Sequence, residues 1–215
     1  MDKASGSGNA VDVYHHGDLP NALLNAVADL VEEKGSAEVS LRAVARRAGV
    51  SHSAPAHHFG DKEGMLAAFA QRGYEILRTE MVEARHGVVA GTALDRLGAV
   101  GAAYVRFAVE HTAYFDVMFR SSIEKDAHQE LHASADGVFA FLTQVVGDLI
   151  AERELTSVDR RIVAVYFWSL AHGLATLAVD GSMPPQLREL PIDDYIAGVF
   201  SMSSLILGAD VSVRE

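Results

Sequence analysis

Residues 40–62 read SLRAVARRAGVSHSAPAHHFGDK, and this stretch decides the fold of the N-terminal part of the chain. Apolar residues recur at helical spacing after Ser40, which is a suitable N-cap, and Gly49 is a suitable end for that helix. We expect Ser51 to cap a second short helix that ends near Phe59. Two helices joined by a glycine-containing turn form a helix-turn-helix, which places its second helix in the major groove of DNA.

The flanking segments extend this unit on both sides. Leu19–Lys34 carries an apolar stripe with helical periodicity and ends before Gly35. Asp61 is placed to cap a long helix that runs from Lys62 to about Ala84. The N-terminal part is therefore predicted to be three helices followed by a long fourth.

The same region matches the pattern AxRAGVSxxxxxxHFxDKExLLxxF at every specified position except residue 65, which is Met. The matching residues are Ala45, Arg47, Ala48, Gly49, Val50, Ser51, His58, Phe59, Asp61, Lys62, Glu63, Leu66 and Phe69. This pattern resembles the tetracycline-repressor-like (TetR/AcrR) family of transcriptional regulators. YHHGDLPNALLNAV (Tyr14–Val27) and FWSLAHGLATL (Phe167–Leu177) are similar to a subgroup with a Trp-His-Gly segment in its C-terminal domain. The resemblance covers residues 14–85 specifically and 95–208 more loosely.

The predicted recognition helix carries five polar candidates for base and phosphate contacts. They are Ser51, His52, Ser53, His57 and His58. The alternative is a polar helix that only faces solvent. Ala56 stands where the family usually has a tyrosine that contacts phosphate, so the resemblance does not transfer that contact or a base preference.

Basic residues flank the predicted recognition helix. The resemblance implies phosphate contacts for Arg42 and Lys62, and we assign Ser40 to the same DNA-contacting set. Lys62 also begins a helix whose N-terminal dipole favours phosphate. The alternative is that both cations are ordinary surface charges. We expect Arg46 or Arg47 to form an ion pair within the domain, with a residue such as Glu32 or Glu33.

The position of the charges along the chain, and not the net charge alone, indicates which partners the chain can bind. The 215 residues carry a net charge of −11, yet Ser40–Lys62 holds four basic residues and one acidic residue. A local basic face on an acidic body is compatible with DNA binding, because phosphate interactions are short-ranged at physiological salt.

The absence of cysteine excludes disulfides and thiolate metal sites and suits a reducing cytoplasm. The first residues lack the apolar run of a signal peptide, and we expect residues 1–13 to form a mobile arm.

A glycine-containing break at His86–Thr92 predicts the boundary between two domains, 14–85 and 86–215. Beyond it, helical patterns cover approximately residues 93–111, 113–120, 126–153, 157–180 and 193–208. The fold class is therefore predicted to be all-α, with a helix-turn-helix domain and a larger helical regulatory domain.

Ile162–Val179 is nearly apolar on all sides, which is typical of a helix buried on several sides or spanning a membrane. Polar residues interrupt it, including Ser169 and His172, and we expect no membrane span. One side is instead predicted to pack within its own domain and another against a second subunit. The last helix would complete a four-helix homodimer interface, as in the resembled family, through Ile196, Val199, Phe200, Leu205 and Ile206.

The second domain is rich in aromatic residues, some of which are candidates for an effector pocket. The predicted pocket wall is Tyr104, Phe107, Met118, Trp168 and His172, which combine apolar bulk with few polar groups. The alternative for each is a place in the core, and for His172 a hydrogen-bonded core position.

Metal and catalytic signals are weak. His128 and His132 lie four residues apart, one turn after Glu124, a spacing that can hold a metal, but the alternative of a solvated helix face is favoured. No nucleophile elbow, phosphate loop or paired-carboxylate motif is present, so we expect no enzyme, no metal and no cofactor.

The interpretation is a cytoplasmic, dimeric repressor that a small molecule releases from double-stranded operator DNA. The main alternative is a helical effector-binding or metal-sensing protein without sequence-specific DNA activity. An enzyme with a helical metal site is a more distant alternative.

Overall fold

The structure is a computed structural model that describes residues 19–155, 157–185 and 191–208, with side chains as far as Met202. Over these residues it forms α1 (Leu19–Lys34), α2 (Leu41–Arg47), α3 (Ala54–Phe59), α4 (Lys62–Gly87), α5 (Ala93–Glu110), α6 (Thr112–Arg120), α7 (Gln129–Glu152), α8 (Arg160–Val179) and α9 (Ile192–Gly208). Short 3-10 turns occur at Ser36–Glu38 and Lys125–Ala127. The all-α fold class is confirmed. The predicted arm, residues 1–13, lies outside the described residues, as do residues 14–18.

Local hydrogen bonds that the sequence predicts stabilise the helix-turn-helix. Ser40 Oγ accepts from Ala43 N at 3.3 Å, and Asp61 Oδ1 accepts from Gly64 N at 2.8 Å, so both predicted N-caps are confirmed. Gly49 has φ of 67°, a conformation that glycine adopts without a steric penalty, and it reverses the chain between α2 and α3.

The start of α3 differs from the prediction. The helix begins at Ala54, and Ser51 does not cap it, because a separate turn precedes it in which Ala54 N donates to Ser51 O at 3.0 Å. The first helical bond runs from His57 N to Ser53 O at 2.9 Å. Pro55 then falls in the first turn, where a missing N–H costs little because these groups have no intrahelical partner.

Charged contacts fasten α2 to α1. Arg47 Nη2 lies 2.6 Å from Glu33 Oε2, and its Nη1 lies 3.2 Å from Asp29 Oδ2. The hydrogen bond from Arg47 lowers the pKa of Glu33. The predicted intradomain ion pair is therefore present, with Arg47 as its cation. Arg42, near the start of α2, is exposed.

The larger part of the molecule is a helical bundle in which α4, α5, α7 and α8 pack together, with α6 against α4 and α9 across α5. Gly101 in α5 makes the α9 contact possible, since a Cβ there would overlap the ring of Phe200. The buried apolar residues of both parts form one continuous cluster through α4. The long fourth helix therefore belongs to the core of the DNA-binding unit and to that of the bundle.

Two faces of α8 have different surroundings. One face is buried in the bundle and includes Ala164, Phe167 and Leu174. The other exposes apolar side chains, with Ile162 at 69% and Tyr166 at 46% exposure. By length and composition alone, α7 and α8 each have the character of a membrane span, but the same properties occur in core helices of soluble proteins. Both helices pack on each other and on α5.

Candidate DNA-binding face and effector cavity

The predicted DNA contacts lie together around α2, α3 and the start of α4. Those that are exposed are Ser40, Arg42, Ser51, His52, Ser53, His57 and His58. Ser51 and Ser53 place their hydroxyl oxygens 3.4 Å apart before α3, and the rings of His57 and His58 lie 5.9 Å apart in its last turn. The structure thus gathers these side chains on one short segment, where each can reach an external partner.

Lys62 differs from the other predicted contacts because it is partly buried. Its Nζ donates to the carbonyl oxygen of Ala37 at 2.6 Å, in the turn between α1 and α2. An ammonium group has three N–H donors, and this bond uses one of them. Lys62 therefore holds the start of α4 against the turn and keeps donors for a phosphate.

A cavity of about 500 Å³ lies within the bundle and is open at one end. It is lined by Tyr74, Leu77, Met81, Tyr104, Phe119, Lys125, Asp126, His132, Ala135, Asp136, Val138, Phe139, Leu142, Val165 and Trp168. Its volume falls within the range typical of small-molecule sites, about 300–1,000 Å³. The wall is mostly apolar. Its charged residues lie in the α6–α7 connection and in the first turns of α7.

A small polar network supports the wall of the cavity. The hydroxyl of Tyr104 lies 2.8 Å from His172 Nδ1. A phenolic hydroxyl can donate its proton to the unprotonated nitrogen of a neutral imidazole. Burial raises the pKa of Tyr104, and burial, followed by the charge of Arg120, lowers the pKa of His172. Both shifts favour the neutral forms.

The five predicted pocket residues have different places. Tyr104 and Trp168 line the cavity, and His172 lies behind Tyr104, packed against the ring of Phe119 at 4.9 Å between centroids. Phe107 and Met118 do not line the cavity, and both are fully buried in the core against other neighbours. Met118 packs against α4, where its Sδ would meet a Cβ at Gly73 at 2.5 Å, and Phe107 packs against His111.

The sequence interpretation missed Lys125, which lies at the cavity and donates from Nζ to the hydroxyl of Tyr74 at 2.8 Å. Its Nζ is also 5.3 Å and 5.6 Å from the ring centroids of Tyr74 and Phe119. The available signal was a lone lysine between an aromatic-rich helix and the next apolar helix. That signal becomes informative only once the packing is known.

His128 and His132 bind different carboxylates. His128 Nε2 lies 3.4 Å from Glu63, whereas His132 lies 3.1 Å from both Asp126 and Asp136, one on each ring nitrogen. In the part of the chain that the structure describes, no group of three or more potential ligands is arranged to hold a metal ion.

The segment 121–128, which connects α6 to α7, lies at the cavity and also contacts the first turn of α4. Lys125 and Asp126 line the cavity. On its other side, Glu124 N donates to Glu63 Oε1 at 3.2 Å, and His128 approaches the same oxygen. Glu63 follows Lys62 in the first turn of α4. We call this segment the coupling segment.

Family profiles match both parts of the chain. The profile for bacterial regulatory proteins of the tetR family matches residues 23–69, and the tetracyclin repressor-like C-terminal domain profile matches residues 97–197. The chain belongs to the TetR family. This family consists of transcriptional regulators and not of enzymes, and the predicted resemblance is confirmed. The Trp-His-Gly subgroup stays a prediction.

Individual proteins and solved structures are also similar to parts or most of this chain. The HTH-type transcriptional regulator BetI of Klebsiella pneumoniae (strain 342) is 35% identical over 78 residues, which span 36% of this chain and 40% of that protein. A protein of unknown function from Rhodococcus sp. RHA1 is 29% identical, with a TM-score of 0.75 over 89% of this chain and 96% of the other. FadR from Bacillus subtilis, solved in complex with stearoyl-CoA, shares the fold at 16% identity, with a TM-score of 0.70 over 85% and 96% of the two chains.

Proposed function

We propose that this chain is a homodimeric transcriptional repressor that leaves its operator when a small organic molecule enters the cavity. The observation that carries the proposal is the coupling segment, because it lines the cavity at Lys125 and Asp126 and contacts α4 at Glu63. The DNA-contacting residues Ser40, Arg42, Ser51, His52, Ser53, His57, His58 and Lys62 remain predictions that this proposal uses.

The proposed coupling is short and passes through few atoms. A molecule at the mouth of the cavity would displace Lys125, and with it Glu124 and His128. Glu124 and His128 both contact Glu63 Oε1. Glu63 lies one residue after Lys62 and three residues after Gly60, the C-cap of α3. Only a ligand that binds more tightly to the displaced arrangement can shift the protein toward it. The required differential affinity arises if the cavity widens at the segment.

A solved relative supports an organic effector. FadR from Bacillus subtilis has this fold and is in complex with stearoyl-CoA, a large organic ligand. The identity is too low to transfer that ligand to this chain.

The exposed apolar face of α8 supports the proposed homodimer. Ile162, Val165, Tyr166 and Leu177 lie on this face, and exposed apolar patches of this kind mark interaction surfaces. α9 would join it, with Met202 at 53% exposure. The predicted contributions of Leu205 and Ile206 lie outside the described side chains. A DNA-binding protein of this kind would also lie in the cytoplasm, where its operator is.

Sedimentation at micromolar concentration tests the dimer. The wild-type chain is expected to sediment as a dimer, and Ile162→Glu as a monomer, because a charge would be buried without a partner. Val89→Glu is the matched control, since Val89 is 95% exposed in the α4–α5 connection and outside the proposed interface. A monomeric wild type would contradict the assembly.

Fluorescence anisotropy tests the DNA function, with a labelled duplex from upstream of the chain's own gene. The dimer is expected to bind it with Kd of about 10⁻⁸ M or tighter and to prefer it by at least about a thousandfold over random DNA. Footprints should fall in successive major grooves, about 34–36 Å apart. Equal affinity for both duplexes would favour an effector-binding protein without sequence-specific DNA activity.

A further inference from the structure

We infer that the effector is an amphipathic organic anion, with an apolar aromatic or aliphatic body inside the cavity and its negative charge held by Lys125 at the mouth. This inference rests on the proposed function, because it names the chemical class of the molecule that the cavity receives. It is carried by the distribution of charge around the cavity.

The depth of the cavity offers an apolar body a suitable surface. Leu77, Met81 and Leu142 supply aliphatic groups, and Phe119, Phe139 and Trp168 supply aromatic rings. The hydroxyl groups of the wall are already engaged, because the Tyr104 hydroxyl bonds to His172 and that of Tyr74 accepts from Lys125. No buried side-chain N or O atom lacks a hydrogen-bond partner in the described part of the chain. A polar group buried deep in the cavity would therefore lack a ready partner and lose its hydration.

Lys125 is a cation without a matching carboxylate. Its Nζ donates to a neutral phenol and lies near two aromatic rings, and no carboxylate of the described residues approaches it within 4.0 Å. One donor of the ammonium is used by Tyr74, which leaves donors for a ligand oxygen. A charge-assisted bond at such a partly buried position is stronger than the same bond in water.

The two carboxylates at the mouth are arranged differently and do not define a cation site. Asp126 and Asp136 both face His132, one on each side of the imidazole, at 3.1 Å. Their side chains are 89% and 72% exposed, so water screens them. The positive group beside the aromatic wall is therefore Lys125, whereas the two carboxylates are largely exposed to water and each already contacts His132.

The net charge of the protein makes this inference easy to distinguish from a general electrostatic effect. A chain with a net charge of −11 attracts cations over its surface. A preference for anions at this cavity would therefore have to come from a local cation, and Lys125 is that cation.

A pair of fluorescent probes with the same aromatic body tests the charge preference. 8-Anilinonaphthalene-1-sulfonate carries an anionic group, and N-phenyl-1-naphthylamine lacks it. Trp168 is the single tryptophan of the chain and lines the cavity, so energy transfer from it reports probes bound there. The wild type is expected to bind the anionic probe at least about tenfold more tightly than the neutral one, as one added charge-assisted bond predicts.

Variants of Lys125 then assign the preference to one residue. Lys125→Met should reduce affinity for the anionic probe by about tenfold and change affinity for the neutral probe by less than about twofold, while Lys125→Arg should retain most of the anion affinity. Lys34→Met is the control, because Lys34 is an exposed lysine at the end of α1. Ala135→Phe fills the cavity and should abolish binding of both probes.

Several results would overturn the inference. The first is equal affinity of the wild type for the two probes, and the second is an equal loss of affinity for the two probes in Lys125→Met. The third is binding of the anionic probe that survives Ala135→Phe. The fourth is displacement of the anionic probe by decyltrimethylammonium at a lower concentration than by decanoate. The proposed function fails separately. It fails if the anionic probe binds as expected but neither it nor decanoate changes DNA affinity, and it stands if the DNA is specifically bound while anions show no preference.

Discussion

The helix-turn-helix draws its surface from a single stretch, residues 40–62, whereas the cavity takes its wall from five helices between Tyr74 and Trp168. In the first region, bonds across a few residues set the geometry, such as the N-caps at Ser40 and Asp61. In the second, the polar contact of 2.8 Å between Tyr104 and His172 joins residues 68 positions apart. A change in one region can therefore leave the other intact, except where α4 and the coupling segment join them.

Gly64→Ala should break the DNA-binding unit and give the largest effect. A Cβ at Gly64 would overlap the carbonyl oxygen of Phe59, so α3 would have to move relative to α4. We expect the free energy of unfolding to fall by about 1–3 kcal/mol and specific DNA affinity to fall at least about tenfold, measured by urea titration and anisotropy.

Gly137→Ala is the matched control for that variant. Gly137 lies in α7, where a new Cβ would meet only Arg78 Cδ at 4.0 Å. This variant should be neutral or more stable by about 0.5–1 kcal/mol, since alanine is preferred to glycine within a helix. Wild-type DNA affinity in Gly64→Ala would show that the α3–α4 contact does not position the recognition helix.

Removing a predicted phosphate contact should weaken DNA binding without affecting the cavity. For Arg42→Ala and Lys62→Ala, the slope of log Kobs against log salt should become less steep by about 1, equally for operator and random DNA. Lys62→Ala should also lose stability of about 0.5–1.5 kcal/mol, because its bond to Ala37 is lost. Arg72→Ala, an exposed cation further along α4, should leave the slope unchanged. An unchanged slope in a folded Arg42 or Lys62 variant would remove that residue from the interface.

Glu63→Ala should separate the two regions while both remain functional. It removes the acceptor of Glu124 N and the partner of His128. Probe affinity at the cavity should be retained. The coupling free energy between ligand binding and DNA binding should decrease by about 0.5–2 kcal/mol. Glu75→Ala, which pairs with Arg72 on the same helix, serves as the control. Full coupling in Glu63→Ala would mean that the ligand acts through another contact.

The smallest effect concerns the pH dependence of the cavity wall. Burial lowers the pKa of His172 below its ordinary value of 6.5, so the unfolded chain binds its proton more readily than the folded chain. This contribution to stability is present above pH 6.5 and is lost as the pH falls toward the pKa of the folded state. In urea titrations between pH 5 and 7.5, His172→Gln should lose less stability on acidification than the wild type, because glutamine does not titrate. Identical pH dependence of the two proteins would show that His172 remains solvated.

Predictions from local pattern were accurate where neighbouring residues supply the energy. The spans of α1 to α6 were predicted within a few residues. An ion pair from Arg46 or Arg47 to a residue such as Glu32 or Glu33 was also predicted, and the structure forms it between Arg47 and Glu33. The assignment of Ser51 as a cap was wrong, because a separate turn precedes α3. The start of α7 lies at Gln129, three residues after the predicted position, since Lys125–Ala127 forms a 3-10 turn.

The sequence by itself determined the helices, the helix-turn-helix and the polar residues that are predicted to contact DNA, because caps, glycines and periodicity act over a few residues. Only the tertiary structure decided that Tyr104 faces the cavity while Phe107, on the same helix, lies in the core. It also placed Lys125 beside Tyr74 and linked Glu124 to Glu63. α5 is buried on most of its circumference, so its apolar pattern does not indicate which side meets a void. That choice depends on how neighbouring helices fill the space around it, which is a property of the packed bundle.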